Sequence, residues 1–317
     1  LQHTLQVIVI NKKLKFVYVD ICNTSNIFKY SSLNKHKLMV KIFEIKTDKI
    51  IEFYNIFDNL EKICNEVTLS IVKSTENSEG YIRIMCVDKM MLLLVNIKLF
   101  AHNFDVFNCN KKIYNINIGT KQFCKILQTF EKDDRIELCV DSDDLANLII
   151  KKQFIVMENQ GYHEMIYKLQ RYDKTVLNIN ESQIFNKKTT GQFLIPSELL
   201  HSICNELQKL NCETININLK EPQSITGKNN KIEVSTICNM IPDEVAKTIE
   251  QTNGSYPFKL IFPFISMCDN KYVSLSITKD KILFAEINDE TFGVINICVT
   301  PIVEINDETF DEIDDDF

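Results

Sequence analysis

Histidine, cysteine and clustered carboxylates are the residue types that most often do chemistry. The five histidines (His3, His36, His102, His163 and His201) never fall at the HExxH or HxH spacing that would bring two imidazoles to one metal. His163–Glu164 is a lone dipeptide and reads as a surface or strand position. The eleven cysteines include no CxxC pair, and the closest two, Cys204 and Cys212, stand eight apart, so no zinc site is implied. Cys64, Cys86, Cys139 and Cys204 lie inside apolar runs, where a free thiol behaves as a small buried hydrophobe. In "DSDD", Asp141, Asp143 and Asp144 could coordinate a cation, but the strand-like runs on either side favour a solvated hairpin turn. No GxSxG, Walker or Rossmann glycine pattern occurs, and only seven glycines are present to cradle a phosphate. We expect no catalytic residues, no metal and no cofactor.

The lysines carry a clearer pattern. In "TKQFCKILQTFEKDDRIELCVD", residues 120–141, Phe123, Ile126, Leu127 and Phe130 recur at helical spacing. Lys121, Lys125, Gln128 and Lys132 fall on the opposite side of the same expected helix. Such a face is ordinarily a solvated one. Here it stands out because the chain is acidic, with a formal net charge of −7. That charge is unevenly spread. Residues 304–317, "EINDETFDEIDDDF", hold eight acids and no base, whereas the first 37 residues hold six lysines and one acid. Both ends read as solvated charged tails.

The elements that must position these residues follow from periodicity. With 317 residues there is room for two ordinary domains, and 45% apolar with 25% charged residues is globular composition. No apolar run approaches the ~18 residues that cross a bilayer. With no secretory signal and no paired cysteines, we expect a reducing compartment and no membrane. One helix followed by several strands recurs four times. The first helix is expected over about 49–65, with Ile50, Phe53, Tyr54, Phe57, Leu60 and Cys64 as its stripe. The strands "VTLSIV", "YIRIMCV", "MMLLLVNIKL" and "FDVFNC" come next. The second helix is the lysine-bearing one, before "RIELCVD" and "NLIIKK". A third opens at "IPSELLHSICNELQKL", with Ser197 as N-cap, before "ETININL" and "KIEVSTI". The fourth, "PFKLIFPFISMC", carries Pro263 inside, which should kink or end it. "YVSLSI", "ILFAEI" and "INICVTPI" close the fold. The class is α+β, with two similar halves and helices on one face of the sheets. Between the halves, residues 171–192 have a polar centre and read as a connector. "EINDETF" occurs at 286–292 and again at 304–310, which reads as a local duplication.

Several segments in order carry a resemblance. "NIGTKQFCKILQTFEKDDRIELCVDSDDLANLII" resembles the second helix and following hairpin of the proliferating cell nuclear antigen family of sliding clamps. "GYIRIMCVDKMMLLLVNIKLFAHNFDVFNC" is similar to the strands before that helix, including Asp88 and the Phe104–Asp105 pair. "YHEMIYKLQRYDKTVLNI" resembles the strand entering the interdomain connector, and "IPSELLHSICNEL" the opening helix of the second domain. "VSLSITKDKILFAEINDETFGVINICVTPIVE" lies without gaps over the family's last three strands. The resemblance spans about 39–304. It starts at "MVKIFEIK", and residue 1 is Leu, so either Met39 is the initiator or residues 1–38 are an added basic arm.

The resemblance implies a clamp fold divided into residues 1–38 (basic extension), 39–170, a connector at 171–192, 193–303 and an acidic tail at 304–317. It implies a homotrimeric ring with helices lining the hole and sheets outside. Double-stranded DNA would be gripped without regard to sequence, with Lys121, Lys125, Lys132 and Lys209 facing its phosphates. Tyr54, Asn55 and Glu61 on the first helix, and His201, Asn205 and Gln208 on the third, stand where the family carries basic residues. A partner pocket for DNA polymerase and other clamp-binding peptides would be built from Val87, Met91, Leu94, Leu177, Ile179, Ile282, Cys298, Thr300 and Pro301. Cys298 stands where the family has an aromatic and Met91 where it often has histidine. A clamp loader and a place in the nucleus, or a cytoplasmic viral replication site, follow from the same resemblance. A subunit of a heterotrimeric checkpoint-type clamp and a monomeric clamp-fold scaffold are the alternatives.

Overall fold

The computed structural model describes residues 6–10, 13–17, 40–155, 162–172, 192–220, 222–238, 240–242, 253–265, 272–289 and 293–302. The chain divides into two compact units, Leu1–Leu38 and Met39–Phe317. In the first, β1 (Gln6–Ile10) pairs antiparallel with β2 (Lys13–Val17). Among the described residues, the second unit carries the helices and all the remaining strands.

Its first half contains β3 (Lys41–Thr47), α1 (Ile50–Glu61), β4 (Glu66–Val72), β5 (Tyr81–Val87), β6 (Leu93–Phe100), β7 (Val106–Cys109), β8 (Ile113–Gly119), α2 (Thr120–Leu127), β9 (Arg135–Asp141), β10 (Asp144–Ile155) and β11 (Tyr162–Gln170). Its second half contains β12 (Phe193–Pro196), α3 (Ser197–Lys209), β13 (Thr214–Asn218), β14 (Ser224–Lys228), β15 (Glu233–Ile237), β16 (Ile241–Pro242), β17 (Asn253–Pro257), α4 (Phe258–Ile265), β18 (Tyr272–Ile277), β19 (Leu283–Asp289) and β20 (Gly293–Val299). Each helix leads into strands, as the periodicity anticipates.

The strands form three antiparallel sheets, in the orders β11-β10-β9-β3-β7, β16-β12-β18-β19-β20-β6-β5-β4-β8 and β15-β14-β13-β17. The nine-stranded sheet joins the halves at one seam, where β20 pairs with β6 from Gly293↔Leu99 to Val299↔Leu93. Period-two alternation decides which face each strand buries. Val95, Ile97 and Leu99 of β6 enter the main core, leaving Leu94, Asn96 and Lys98 on the other face.

All four helices pack on the core side. The α1 helix buries Ile50, Phe53, Ile56, Phe57 and Leu60, and its Phe57 ring meets Phe123 of α2 edge-on at 4.5 Å. The Thr120 hydroxyl donates to the Cys64 carbonyl at 2.6 Å, tying the start of α2 to the segment after α1. The α1 helix touches α2, α3 touches α4, and α1 meets α4, so the helices form one layer.

Four local readings are corrected. The α1 helix stops at Glu61 rather than near Asn65. The expected strand from Met90 begins only at Leu93, because Asp88 holds Met90–Leu92 in a turn. Ser197 is the first helical residue rather than the cap; Pro196 precedes the helix and no side chain caps it. The fourth helix opens at Phe258, because Pro257, expected at its first turn, closes β17; Pro263 lies inside it and Ile265 is its last described residue. The connector's central residues and the acidic tail lie outside the described residues.

Candidate functional site

Two surfaces gather the residues singled out above. On the helix layer, Lys121 and Lys125 are exposed on α2, a helix whose described residues include no acid. Lys132 does not continue that face. The helix ends at Leu127, and the chain then turns, with the Thr129 hydroxyl donating to the Ile126 carbonyl at 2.7 Å and the Thr129 amide to the same carbonyl at 3.0 Å. Asp133 and Asp134 follow in a turn that helix spacing alone could not foresee, and Lys132 is exposed within it. Lys209 is the last, exposed residue of α3, a position where a cation suits the helix dipole.

Lys259, exposed on α4, joins these cations and was missed because its helix reads as apolar around Pro263. Against Lys121, Lys125, Lys209 and Lys259 stand the acids Glu52, Asp58 and Glu61 on α1 and Glu198 and Glu206 on α3. The helix layer is therefore close to neutral, with its positive charge concentrated on α2. Asp58 is partly satisfied by Lys62 at 2.8 Å and by the Tyr54 hydroxyl at 3.2 Å. His201 and Asn205 lie side by side, with the Asn205 amide 3.4 Å from the imidazole.

The second surface lies on the opposite face of the nine-stranded sheet. Pairing sets Phe284 opposite Cys298, Cys298 opposite Leu94, and Leu94 opposite Val87, one row across β19, β20, β6 and β5. Met85, Leu94, Phe284 and Cys298 form an apolar cluster separate from the main core, with Val87 and Ile282 packed against it at half burial. Cross-strand neighbours on one face are close enough to pack directly. Of the nine expected pocket residues, Val87, Leu94, Ile282 and Cys298 are brought together here. Thr300 and Pro301 are half-buried beyond the end of β20, and the Thr300 amide donates to the Leu92 carbonyl at 2.8 Å. Leu177 and Ile179 lie outside the described residues.

Met91 is not part of the cluster. It occupies the turn between β5 and β6 with a left-handed φ of 57° and is 81% exposed. The turn is fixed by Asp88, whose carboxylate accepts from Leu93 N at 2.7 Å and Met90 N at 3.0 Å. Met85 and Phe284 are the residues that sequence reading missed. Their signal was available as alternation, because each is two positions from an expected pocket residue, Val87 or Ile282.

Among the described residues, β11 and β15 are two of the six strands that end the three sheets. In the described residues β11 pairs only with β10, and β15 only with β14. Each carries an exposed isoleucine facing away from the core, Ile166 at 47% and Ile237 at 74%. The Asp141–Asp144 stretch is the β9–β10 hairpin, in which Asp144 pairs with Lys168 at 2.8 Å; that ion pair and the Asn147 amide hold its carboxyl below the usual range.

No protein-family profile and no curated protein matches the sequence. Among solved structures, the chain is similar to proliferating cellular nuclear antigen from Entamoeba histolytica, at 18% identity and TM-score 0.67 over 83% of this chain and 100% of that one. It is similar to a chain of the PCNA2–PCNA3 complex from Sulfolobus tokodaii, at 14% identity and TM-score 0.64 over 81% and 98%. PCNA from Thermococcus kodakaraensis gives 17% identity and TM-score 0.64 over 82% and 100%. The sheet order, the four helix-led units and these likenesses make this the sliding-clamp fold of PCNA.

Proposed function

We propose that the chain is a DNA sliding clamp, a scaffold rather than an enzyme, that closes into a homotrimeric ring and tethers replication and repair proteins. The observation that carries the reading is the pair of open sheet edges. Antiparallel pairing of β11 from one copy with β15 from the next would set Ile166 beside Ile237 on one face, Lys168 beside Ser235 and Gln170 beside Glu233. Both edges would gain backbone hydrogen bonds, and two exposed isoleucines would leave water. The interface is head-to-tail, and three copies close it.

Within the ring the helix layer faces the hole. Lys121 and Lys125 then attract the phosphate backbone without reading sequence, and weak contact suits a ring that slides. Lys209 adds charge at the end of α3, and Lys132 in the turn after α2. The apolar row of Phe284, Cys298, Leu94 and Val87 accepts the hydrophobic plug of a polymerase or other clamp-binding peptide, with Ile282, Thr300, Pro301 and the exposed Met91 at its margins. A clamp loader opens the ring onto DNA.

Light scattering after size exclusion tests the ring. The expected mass is three times the chain mass of 36.9 kDa. Changing Ile237 to Lys should convert the trimer to monomers with the fold intact by circular dichroism. A wild-type monomer at micromolar concentration sinks the homotrimer. The near-neutral helix layer favours one second reading, a subunit of a mixed ring whose partners supply more positive charge. A monomer that forms a ring only with added partner subunits would establish it. The peptide pocket has its own test: Phe284→Asp should weaken binding of an apolar-plug peptide at least about tenfold without changing the mass.

A further inference from the structure

Four cations cluster where the five-stranded and nine-stranded sheets meet in the first half, and among the described residues none of them is in an ion pair. Lys73 follows β4, Lys111 and Lys112 form the turn between β7 and β8, and Arg171 follows β11. The Lys73 amide donates to the Lys112 carbonyl at 3.1 Å, and the Arg171 amide to the Ala146 carbonyl at 3.0 Å. Beside them opens a cavity of about 300 Å³ lined by Lys111, Tyr114, Leu145, Ala146, Gln170 and Arg171.

The cavity is built rather than incidental. Lys111 Nζ lies 5.1 Å and Arg171 Cζ 5.3 Å from the centre of the Tyr114 ring, so two positive charges share one aromatic ring. The guanidinium is held rigidly. Its Nη1 donates to the Tyr114 hydroxyl and the Leu145 carbonyl, each at 2.6 Å, and Nη2 to the Asn115 carbonyl at 3.3 Å. Every one of those acceptors is neutral, and the Arg171 Nε is buried with no acceptor. Several other lysines of this half do have a carboxylate partner. Lys41, Lys46 and Lys151 share Glu137, Lys152 has Asp134, and Lys168 has Asp144. An acidic chain that leaves two cations on one ring without a carboxylate keeps an uncompensated positive potential in a cavity.

We propose that this cavity is an oxyanion site that takes a phosphate-type dianion. A tetrahedral dianion offers several oxygens to donors arriving from different directions: the Lys111 ammonium, the Gln170 amide and the Nη2 hydrogen of Arg171 not given to the Asn115 carbonyl. Its two charges match the two cations of the cavity, and Lys73 and Lys112 at the rim raise its local concentration. Preorganisation by Tyr114, Leu145 and Asn115 removes the cost of ordering the arginine on binding.

The test is a calorimetric titration of the full chain with inorganic phosphate, with chloride at matched ionic strength as the reference. Saturable binding that sulfate competes for is expected. Lys111→Gln, an exposed turn position, should weaken it about tenfold, the effect of losing one charge-assisted contact. Arg171→Lys, which keeps charge but loses the fork, should weaken it as well. Phenyl phosphate separates sources: binding equal to that of inorganic phosphate assigns the site to phosphate esters, and weaker binding to the free ion, either of which supports an oxyanion site. Absence of saturable binding, or affinity unchanged in Lys111→Gln, overturns it. Acetate binding as tightly as phosphate overturns the choice of a dianion. The cavity lies within one chain and needs neither ring nor DNA, so a monomeric protein would still be expected to bind.

Discussion

Replacing Gly293 by alanine is expected to destabilise the fold by about 3 kcal/mol or more, the range reached when strain or overlap is forced on buried backbone. Gly293 opens β20 with a φ of 151°, where a side chain is strained, and an added Cβ would overlap the carbonyl oxygen of Lys98 on β6. Backbone cannot step aside as a flexible side chain can. Relief requires β20 and β6 to part at the one seam that makes a single sheet of the two halves. The same strand carries Cys298, so the apolar row should loosen together with the seam. Urea denaturation followed by circular dichroism would read the loss as a lower midpoint. Hydrogen exchange should place the new opening along β6 and β20. A midpoint unchanged by Gly293→Ala would contradict the argument.

Glu137→Gln should produce the other large change. Its side chain is 3% exposed on β9, with Lys41 at 2.7 Å and Lys46 and Lys151 each at 3.3 Å. Burial alone would raise its pKa, but the hydrogen bond from Lys41 and the charges of Lys151, Lys41 and Lys46 outweigh it and hold the carboxyl down to about 2. Because the folded-state value lies below the unfolded one, the ionised carboxylate stabilises the fold fully above the ordinary value of 4.5, and that contribution is lost as pH falls towards 2. After allowing for solvent screening, the linkage is worth about 1–2 kcal/mol. At neutral pH the variant leaves three lysines, 22–34% exposed, facing only Glu44 and Glu164, so the cost stays about 1–2 kcal/mol rather than that of an uncompensated buried charge. The expected result is a less stable protein at pH 7 whose stability falls more gently than wild type between pH 4.5 and 2. Parallel curves would show that Glu137 does not dominate acid unfolding.

How much of this could be read from residues alone differs by element. The α2 helix and the strands β5 and β9 declare themselves through period, because their apolar faces alternate cleanly against one core. The end of α2 does not, since Gln128 to Lys132 keep helical spacing while the turn chemistry of Asp133 and Asp134 takes over. β8 and β14 were not read as strands. In "IYNINIG" the signal was present, since Tyr114, Ile116 and Ile118 enter the core in alternation with Asn115 and Asn117, whereas "SITGK" is short and polar and is decided by pairing with β13. The apolar row was half legible. Val87, Leu94, Ile282 and Cys298 came from resemblance, whereas Met85 and Phe284, two positions from Val87 and Ile282, were signalled by alternation and overlooked. Nothing in sequence spacing could bring Lys111 to Arg171, because the two meet only where separate sheets converge on Tyr114.

The β6–β20 seam has a consequence for how the chain folds. Leu99 cannot meet Gly293 until nearly all of the second half has been synthesised, so this pairing has a very long sequence separation. Such contacts form late, since the entropy of closing the loop must be overcome before they stabilise anything. In the interval β6 has an unpaired edge, the kind of surface on which nascent chains associate. Asn96 and Lys98, on the face of β6 away from the core, break what would otherwise be an apolar strand on both sides. They act as gatekeepers that let the first half wait for its last neighbour.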